Sequence, residues 1–154
     1  VATPQSDGQR DIERLREAGV RVTSTRLAVL ATVRDGDHLP VDEITRGVRQ
    51  RLGSVSTQAV YDVLGALDRA GLVRRIQPAG SPARYEARVG DNHHHAVCRV
   101  CGAVTDVDCV GEAPCLVPSG TAGHVIDEAE VIYWGLCPAC IADPTAPEES
   151  EHAR

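Results

Sequence analysis

The run Ser56-Thr57-Gln58-Ala59-Val60-Tyr61-Asp62-Val63-Leu64-Gly65-Ala66-Leu67-Asp68-Arg69-Ala70-Gly71 reads as a helix with two unlike faces. Ser56 is a good N-cap, Val60, Val63, Leu64 and Leu67 recur at helical spacing as a buried stripe, and Gly71 lies past the end. The other face carries Ser56, Thr57, Gln58 and Tyr61 near the N-terminus, polar side chains of a length that reaches base edges when a helix enters a major groove. Asp62 works against that use, because phosphate repels a carboxylate at the groove.

The flanking sequence supports the same reading. Residues 72–76 and 83–86 read as two strands joined by Pro78-Ala79-Gly80-Ser81-Pro82, a β-hairpin. Upstream, residues 9–18 form a short amphipathic helix on Ile12 and Leu15, closed by Gly19. A second helix starts at Thr23 or Ser24, carries Leu27, Leu30, Ala31 and Val33, and breaks at Asp35-Gly36-Asp37. A third opens with Pro40 in its first turn, buries Val41, Ile44, Val48 and Leu52, and ends at Gly53. Helices followed by a two-stranded wing make a winged helix, and Arg21, Arg26, Arg74 and Arg75 flank it with guanidinium groups suited to phosphate.

The net charge of −6 over 154 residues hides a division. Residues 1–80 hold twelve Arg against ten acids, a net of +2, and residues 81–154 hold four Arg against twelve acids, a net of −8. The half that carries the helix is the one able to approach a polyanion. The chain has neither Lys nor Met, and its leading Val suggests a non-standard start codon or a processed terminus. No segment resembles a signal peptide and no apolar run is long enough to span a bilayer, so a cytoplasmic protein with no membrane contact is expected.

Cys98-Arg99-Val100-Cys101 and Cys137-Pro138-Ala139-Cys140 are two Cys-x-x-Cys knuckles, the ligand set of a structural Zn²⁺ site. Ordinary buried cysteines, or two disulfides, are the weaker reading, since thiols in a reducing compartment bind metal. A thioredoxin-like role is weaker still, since that motif belongs in a strand-helix-strand context and needs no second pair. Cys109 and Cys115 read as small core residues, with a redox pair as the alternative. The expected division is therefore a structureless N-terminus at 1–8, a winged-helix DNA-binding domain at 9–87, a hinge at 88–92, a metal-binding domain at 93–142 and a disordered acidic tail at 143–154. Within the second domain, residues 94–99 and 103–107 read as a hairpin, 109–123 as a short helix and loop, and 125–134 as a long strand.

The stretches from Gly19 to Leu30, Val55 to Tyr61 and Ala70 to Val73, with His93-His94-His95-x-x-Cys98-x-x-Cys101-Gly102, resemble the ferric uptake regulator family in order and spacing, over about residues 12–142. The resemblance implies a cytoplasmic homodimeric repressor, each protomer an α+β chain with an N-terminal winged helix and a small C-terminal α/β dimerisation domain holding the four-cysteine zinc site. It implies no enzyme activity, and a double-stranded, pseudo-palindromic operator as partner. Asp62 departs from the Arg that usually follows the recognition-helix Tyr, so the usual operator is in doubt.

His93 and His95 occupy alternate positions and so share one face of a strand, a spacing by which two imidazoles share one metal. Glu86, Asp106 and His38 complete a nitrogen and oxygen set suited to Fe²⁺, Mn²⁺ or Co²⁺, and the resemblance places the regulatory Fe²⁺ or Mn²⁺ on these five residues. His94 faces the other way and is expected to be solvent-exposed or structural. An Asp at position 106 is similar to the peroxide-responsive branch, and most like the actinobacterial regulators of catalase and catalase-peroxidase genes. By that likeness the repressor senses hydrogen peroxide through iron-catalysed oxidation of His38 or His93. The alternatives are a repressor of the same family that senses metal level without peroxide, and a zinc-thiol redox protein. Asn92 and Ala129 stand where some iron regulators place a further histidine, which argues against a third metal site.

Overall fold

The computed structural model describes residues 6–91, 93–108, 120–125 and 129–142, in two compact units, Val1–Asp91 and Asn92–Arg154. The expectations for residues 1–5, for Cys109 and Cys115 and for the tail from 143 lie outside the described residues.

The first unit opens with α1 (Asp7–Glu17), two residues earlier than its apolar pattern suggests, because the Ser6 side chain accepts from the Gln9 N–H and caps it. Asp7 and Gly8 are therefore helical rather than structureless. Gly19 ends the helix at a φ of 68°, and the Val20 N–H donates to the Leu15 carbonyl at 2.8 Å. Helix α2 (Ser24–Asp35) is capped by Thr23, whose hydroxyl accepts from the Arg26 N–H at 3.2 Å. Asp11, 1% exposed, ties α1 to α2 through its carboxylate on the Arg34 guanidinium.

Helix α3 (Val41–Leu52) buries Val41, Ile44, Thr45 and Val48. Its last residue, Leu52, is 38% exposed instead of buried, since the stripe leaves the core at the final turn before Gly53. Helices α2 and α3 approach closely at Gly47, where an added Cβ would lie 2.6 Å from Cγ2 of Thr32. Helix α4 (Thr57–Arg69) is capped by Ser56, whose Oγ accepts from the Ala59 N–H at 3.1 Å, and it buries Val60, Leu64 and Leu67 completely. These stripes meet in one core with Leu15, Val29, Leu30, Val33, Leu72 and Tyr85.

Beyond α4, β2 (Arg74–Ile76) and β3 (Arg84–Glu86) form the expected antiparallel wing, with Arg75 opposite Tyr85. A third strand, β1 (Leu39–Pro40), joins β3 on its other edge, giving the order β1-β3-β2. Two residues that include a proline carry no periodic signal, so only the pairing of Leu39 with Tyr85 reveals the strand.

Among the described residues the second unit shows a three-stranded sheet in the order β5-β4-β6, from β4 (His93–Cys98), β5 (Val104–Asp108) and β6 (Ile132–Gly135), followed by the short helix α5 (Pro138–Ala142). Strands β4 and β5 are antiparallel, as a hairpin requires, and β4 and β6 are parallel. Of the strand expected over 125–134, residues 126–128 lie outside the described set, and among the described residues β6 starts at Ile132, where pairing with His95 begins. Among the described residues no helix is long and apolar enough to cross a membrane.

Candidate metal centre

The thiolate cluster is built entirely within the second unit. Cys98 ends β4, Cys101 follows on a turn closed by the Gly102 N–H to the Cys98 carbonyl at 3.0 Å, and Gly102 takes a φ of 71° there. Cys137 immediately precedes α5 and Cys140 lies within it, and the parallel pairing of β4 with β6 brings the start of that helix beside the first knuckle, with the Arg99 N–H on the Gly135 carbonyl at 2.8 Å. The four sulfurs lie within 4.8 Å of one another and the cysteines are free thiols. Cys101 Sγ and Cys137 Sγ are 3.7 Å apart. Zinc–sulfur bonds of about 2.3 Å in a tetrahedron set sulfurs about 3.8 Å apart, so the donors fit Zn²⁺ in kind and in spacing.

Their protonation is uneven. Backbone N–H groups of Cys101 and then Cys137 on the sulfur bring the Cys98 pKa down to about 6. Cys140 is pushed up to about 12 by hydrogen bonding with Cys137 and by desolvation. Such a cluster takes up a cation by releasing protons.

The nitrogen and oxygen donors form two groups, one in each unit. In the first unit, His38 Nε2 is 3.1 Å from Glu86 Oε2 and its Nδ1 is 2.6 Å from Asp37 Oδ1, with His38 and Glu86 buried. The β1–β3 register makes this pair, and Arg84 donates to the His38 carbonyl at 3.1 Å. In the second unit, His93 and His95 stand edge to face on β4, their ring centroids 5.0 Å apart. Their Nε2 atoms are 3.7 Å and 3.8 Å from the same oxygen of Asp106, which lies opposite His95 on β5. Donors about 2.1 Å from one ion lie about 3–4 Å apart, so each imidazole stands from Asp106 at the spacing of two donors on one divalent cation.

His94 is buried, not solvent-exposed: its Nδ1 accepts from the Val131 N–H at 3.3 Å and its ring meets Tyr133, which makes it structural. Two carboxylates were missed by the sequence reading, Asp37 on His38 and Glu130, whose Oε1 is 3.3 Å from His95 Nδ1. Asp37 could have been noticed as the neighbour of His38; Glu130 has no sequence signal.

On α4, Gln58 and Tyr61 are exposed, and the Gln58 amide donates to Asp62 at 2.9 Å. Thr57 is half-buried and the Ser56 hydroxyl is engaged as the cap. Arg21 is exposed, and Arg26 is half-buried and donates to the Arg21 carbonyl at 2.8 Å.

A winged helix followed by a small sheet unit, with a thiolate cluster and buried imidazole–carboxylate groups, has the build of a metal-dependent DNA-binding regulator. The comparisons with known proteins give the same class. The Ferric uptake regulator family pattern matches residues 17–110. "Transcriptional regulator FurA" of Mycobacterium tuberculosis is 61% identical over 135 residues, covering 87% of this chain and 92% of that protein. The "Peroxide operon regulator" of Bacillus subtilis is 29% identical over 132 residues, covering 84% and 90%. Among solved structures, the Helicobacter pylori ferric uptake regulator Fur superposes with a TM-score of 0.68 at 18% identity, covering 94% of this chain and 100% of that one. The chain belongs to the ferric uptake regulator family. It is a metal-dependent transcriptional regulator, not an enzyme.

Proposed function

We propose that the chain is a cytoplasmic repressor that binds operator DNA as a homodimer when Fe²⁺ or Mn²⁺ occupies His38, Glu86, His93, His95 and Asp106, while Zn²⁺ on Cys98, Cys101, Cys137 and Cys140 holds the second unit together. The observation that carries this reading is the pairing of buried imidazoles with carboxylates in both units and with no thiolate among them. Those donors suit a borderline or hard divalent cation. An ion held by His38 and Glu86 together with His93, His95 and Asp106 would couple the DNA-binding half to the other half, which would turn metal level into operator affinity. Ser56, Thr57, Gln58 and Tyr61 face the bases, and Arg21 and Arg26 the phosphates. A two-fold dimer implies a pseudo-palindromic operator.

Peroxide sensing is the second reading, supported by Asp106 as the carboxylate of an all nitrogen and oxygen set. Ferrous iron held there would supply one electron to hydrogen peroxide, and the oxidised imidazole would supply the other. His38 or His93 would be the imidazole that takes up oxygen, after which the ligand set would lose affinity. Metal-level sensing ranks ahead, because the relative named for peroxide is 29% identical and the one named FurA 61%.

The test is operator retention by zinc-loaded protein with Fe²⁺ or Mn²⁺, before and after a brief low dose of peroxide. Metal-dependent retention that peroxide leaves intact supports the metal-level reading. Release with iron but not manganese, with an added oxygen on a His38 or His93 peptide, supports the second. Retention that ignores both metals overturns both.

A further inference from the structure

Adjacent residues of β4 grip the short lead into β6. The His95 N–H donates to the Val131 carbonyl at 3.2 Å, and the Val131 N–H donates to Nδ1 of His94 at 3.3 Å. Val131 is held at both its backbone polar groups, and this fixes the direction in which its neighbour Glu130 leaves the chain. The carboxylate of exposed Glu130 comes to Nδ1 of His95 at ion-pair distance, with Oε1 at 3.3 Å but outside hydrogen-bond geometry. On the opposite edge of that ring, which is fully buried, Nε2 lies 3.8 Å from Asp106.

We infer that Glu130 is a positioning residue of the nitrogen and oxygen metal centre, acting through His95. A neutral imidazole carries one proton, and the nitrogen without it is the ligand. A negative charge at this distance favours the proton on Nδ1 and leaves the Nε2 lone pair facing Asp106 and His93, and a small turn of the carboxylate closes the hydrogen bond that fixes the ring when an ion is held. His94 has the complementary part. Its Nδ1 accepts from the Val131 backbone, so its proton resides on Nε2, and the ring is the clamp that delivers Glu130 instead of a ligand. The first unit repeats the pattern: Asp37 stands at Nδ1 of His38 at 2.6 Å, with Glu86 at Nε2 at 3.1 Å. In both units Nδ1 faces a carboxylate outside the expected ligand set and Nε2 faces one inside it.

This inference rests on His95 being a metal ligand, so the experiment separates the two. Zinc-loaded full-length parent, Glu130→Ala, Glu130→Gln and His95→Ala are titrated with MnCl₂ against a fluorescent chelator, and the His95 ring nitrogens are read by ¹⁵N NMR in the manganese-free parent and Glu130 variants. The parent ring is expected as the Nδ1–H tautomer. Glu130→Ala is expected to mix tautomers and weaken Mn²⁺ binding by about tenfold or more at unchanged zinc content. Glu130→Gln, which keeps an oxygen acceptor, recovers part of the loss. Mn²⁺ affinity of Glu130→Ala within twofold of the parent, while His95→Ala loses it, overturns the positioning role and leaves the metal site standing. Full affinity in His95→Ala overturns both. Should the Glu130 variants lose zinc or fold, the parent spectrum decides, and an Nε2–H tautomer of His95 overturns the inference.

Discussion

Nε2 of His38 lies 3.1 Å from Oε2 of Glu86, a contact between two buried side chains 48 positions apart. Pairing of Leu39 with Tyr85 brings the residue before the one abreast of the residue after the other. His38 holds a φ of 50°, a backbone region that costs a non-glycine residue about 1 kcal/mol. A strained, buried imidazole beside a buried carboxylate is a poor arrangement for packing alone and a useful one for gripping a cation.

Glu86→Gln keeps the volume of the side chain and removes its charge. Mn²⁺ affinity of the zinc-loaded protein is expected to fall at least tenfold, with metal-dependent operator retention moved to correspondingly higher Mn²⁺. A titration indistinguishable from the parent would take Glu86 out of the ligand set.

Cys137→Ser removes one of four sulfurs that lie within 4.8 Å of each other. Zinc per chain is expected to drop well below one, and amide exchange in β4 and β6 to rise, as chelation of the parent should also produce. Stoichiometric zinc retained by the variant would rule out the four-thiolate site.

Asp11→Ala leaves Arg34 without the buried carboxylate that joins α1 to α2. Loss of a buried pair costs several kcal/mol, and water reaching the half-buried Arg34 brings the expected loss to about 2 kcal/mol in denaturant unfolding of the first unit. A midpoint equal to that of the parent would show that the pair is solvated in practice.

On the exposed face of α4, Tyr61→Ala is expected to cost about 1–3 kcal/mol of discrimination between operator and unrelated DNA. Arg21→Ala is expected instead to weaken both DNAs alike and to lower the salt slope by about one. If Tyr61→Ala behaved like Arg21→Ala, Tyr61 would be a phosphate contact and not a reader of bases.

Much of the first unit was legible because its signals are local. Thr23 and Ser56 cap their helices through N–H groups three residues on, and Gly19 and Gly71 end theirs at positive φ. Asp11 was not legible as a core residue, since a carboxylate is buried only where a distant Arg34 meets it. Leu52 misled because helical spacing continues one turn beyond the core it packs against. Of the metal centres, both knuckles and the His93–His95 alternation could be read from spacing. The contacts of Glu86 with His38 and of Glu130 with His95 could not.

By itself the sequence determined the capped amphipathic helices, the hairpin of the wing, the cysteine pairs and the two histidines on one strand face. Each of these depends on groups a few residues apart, where helix and strand periods dictate which side chains meet. Tertiary structure decided the β5-β4-β6 order, the strand at Leu39–Pro40, and the carboxylates that stand beside His38 and His95. Those depend on hydrogen-bond registers and burial between segments far apart in the chain, and a register set by distant partners leaves no period in either segment to read.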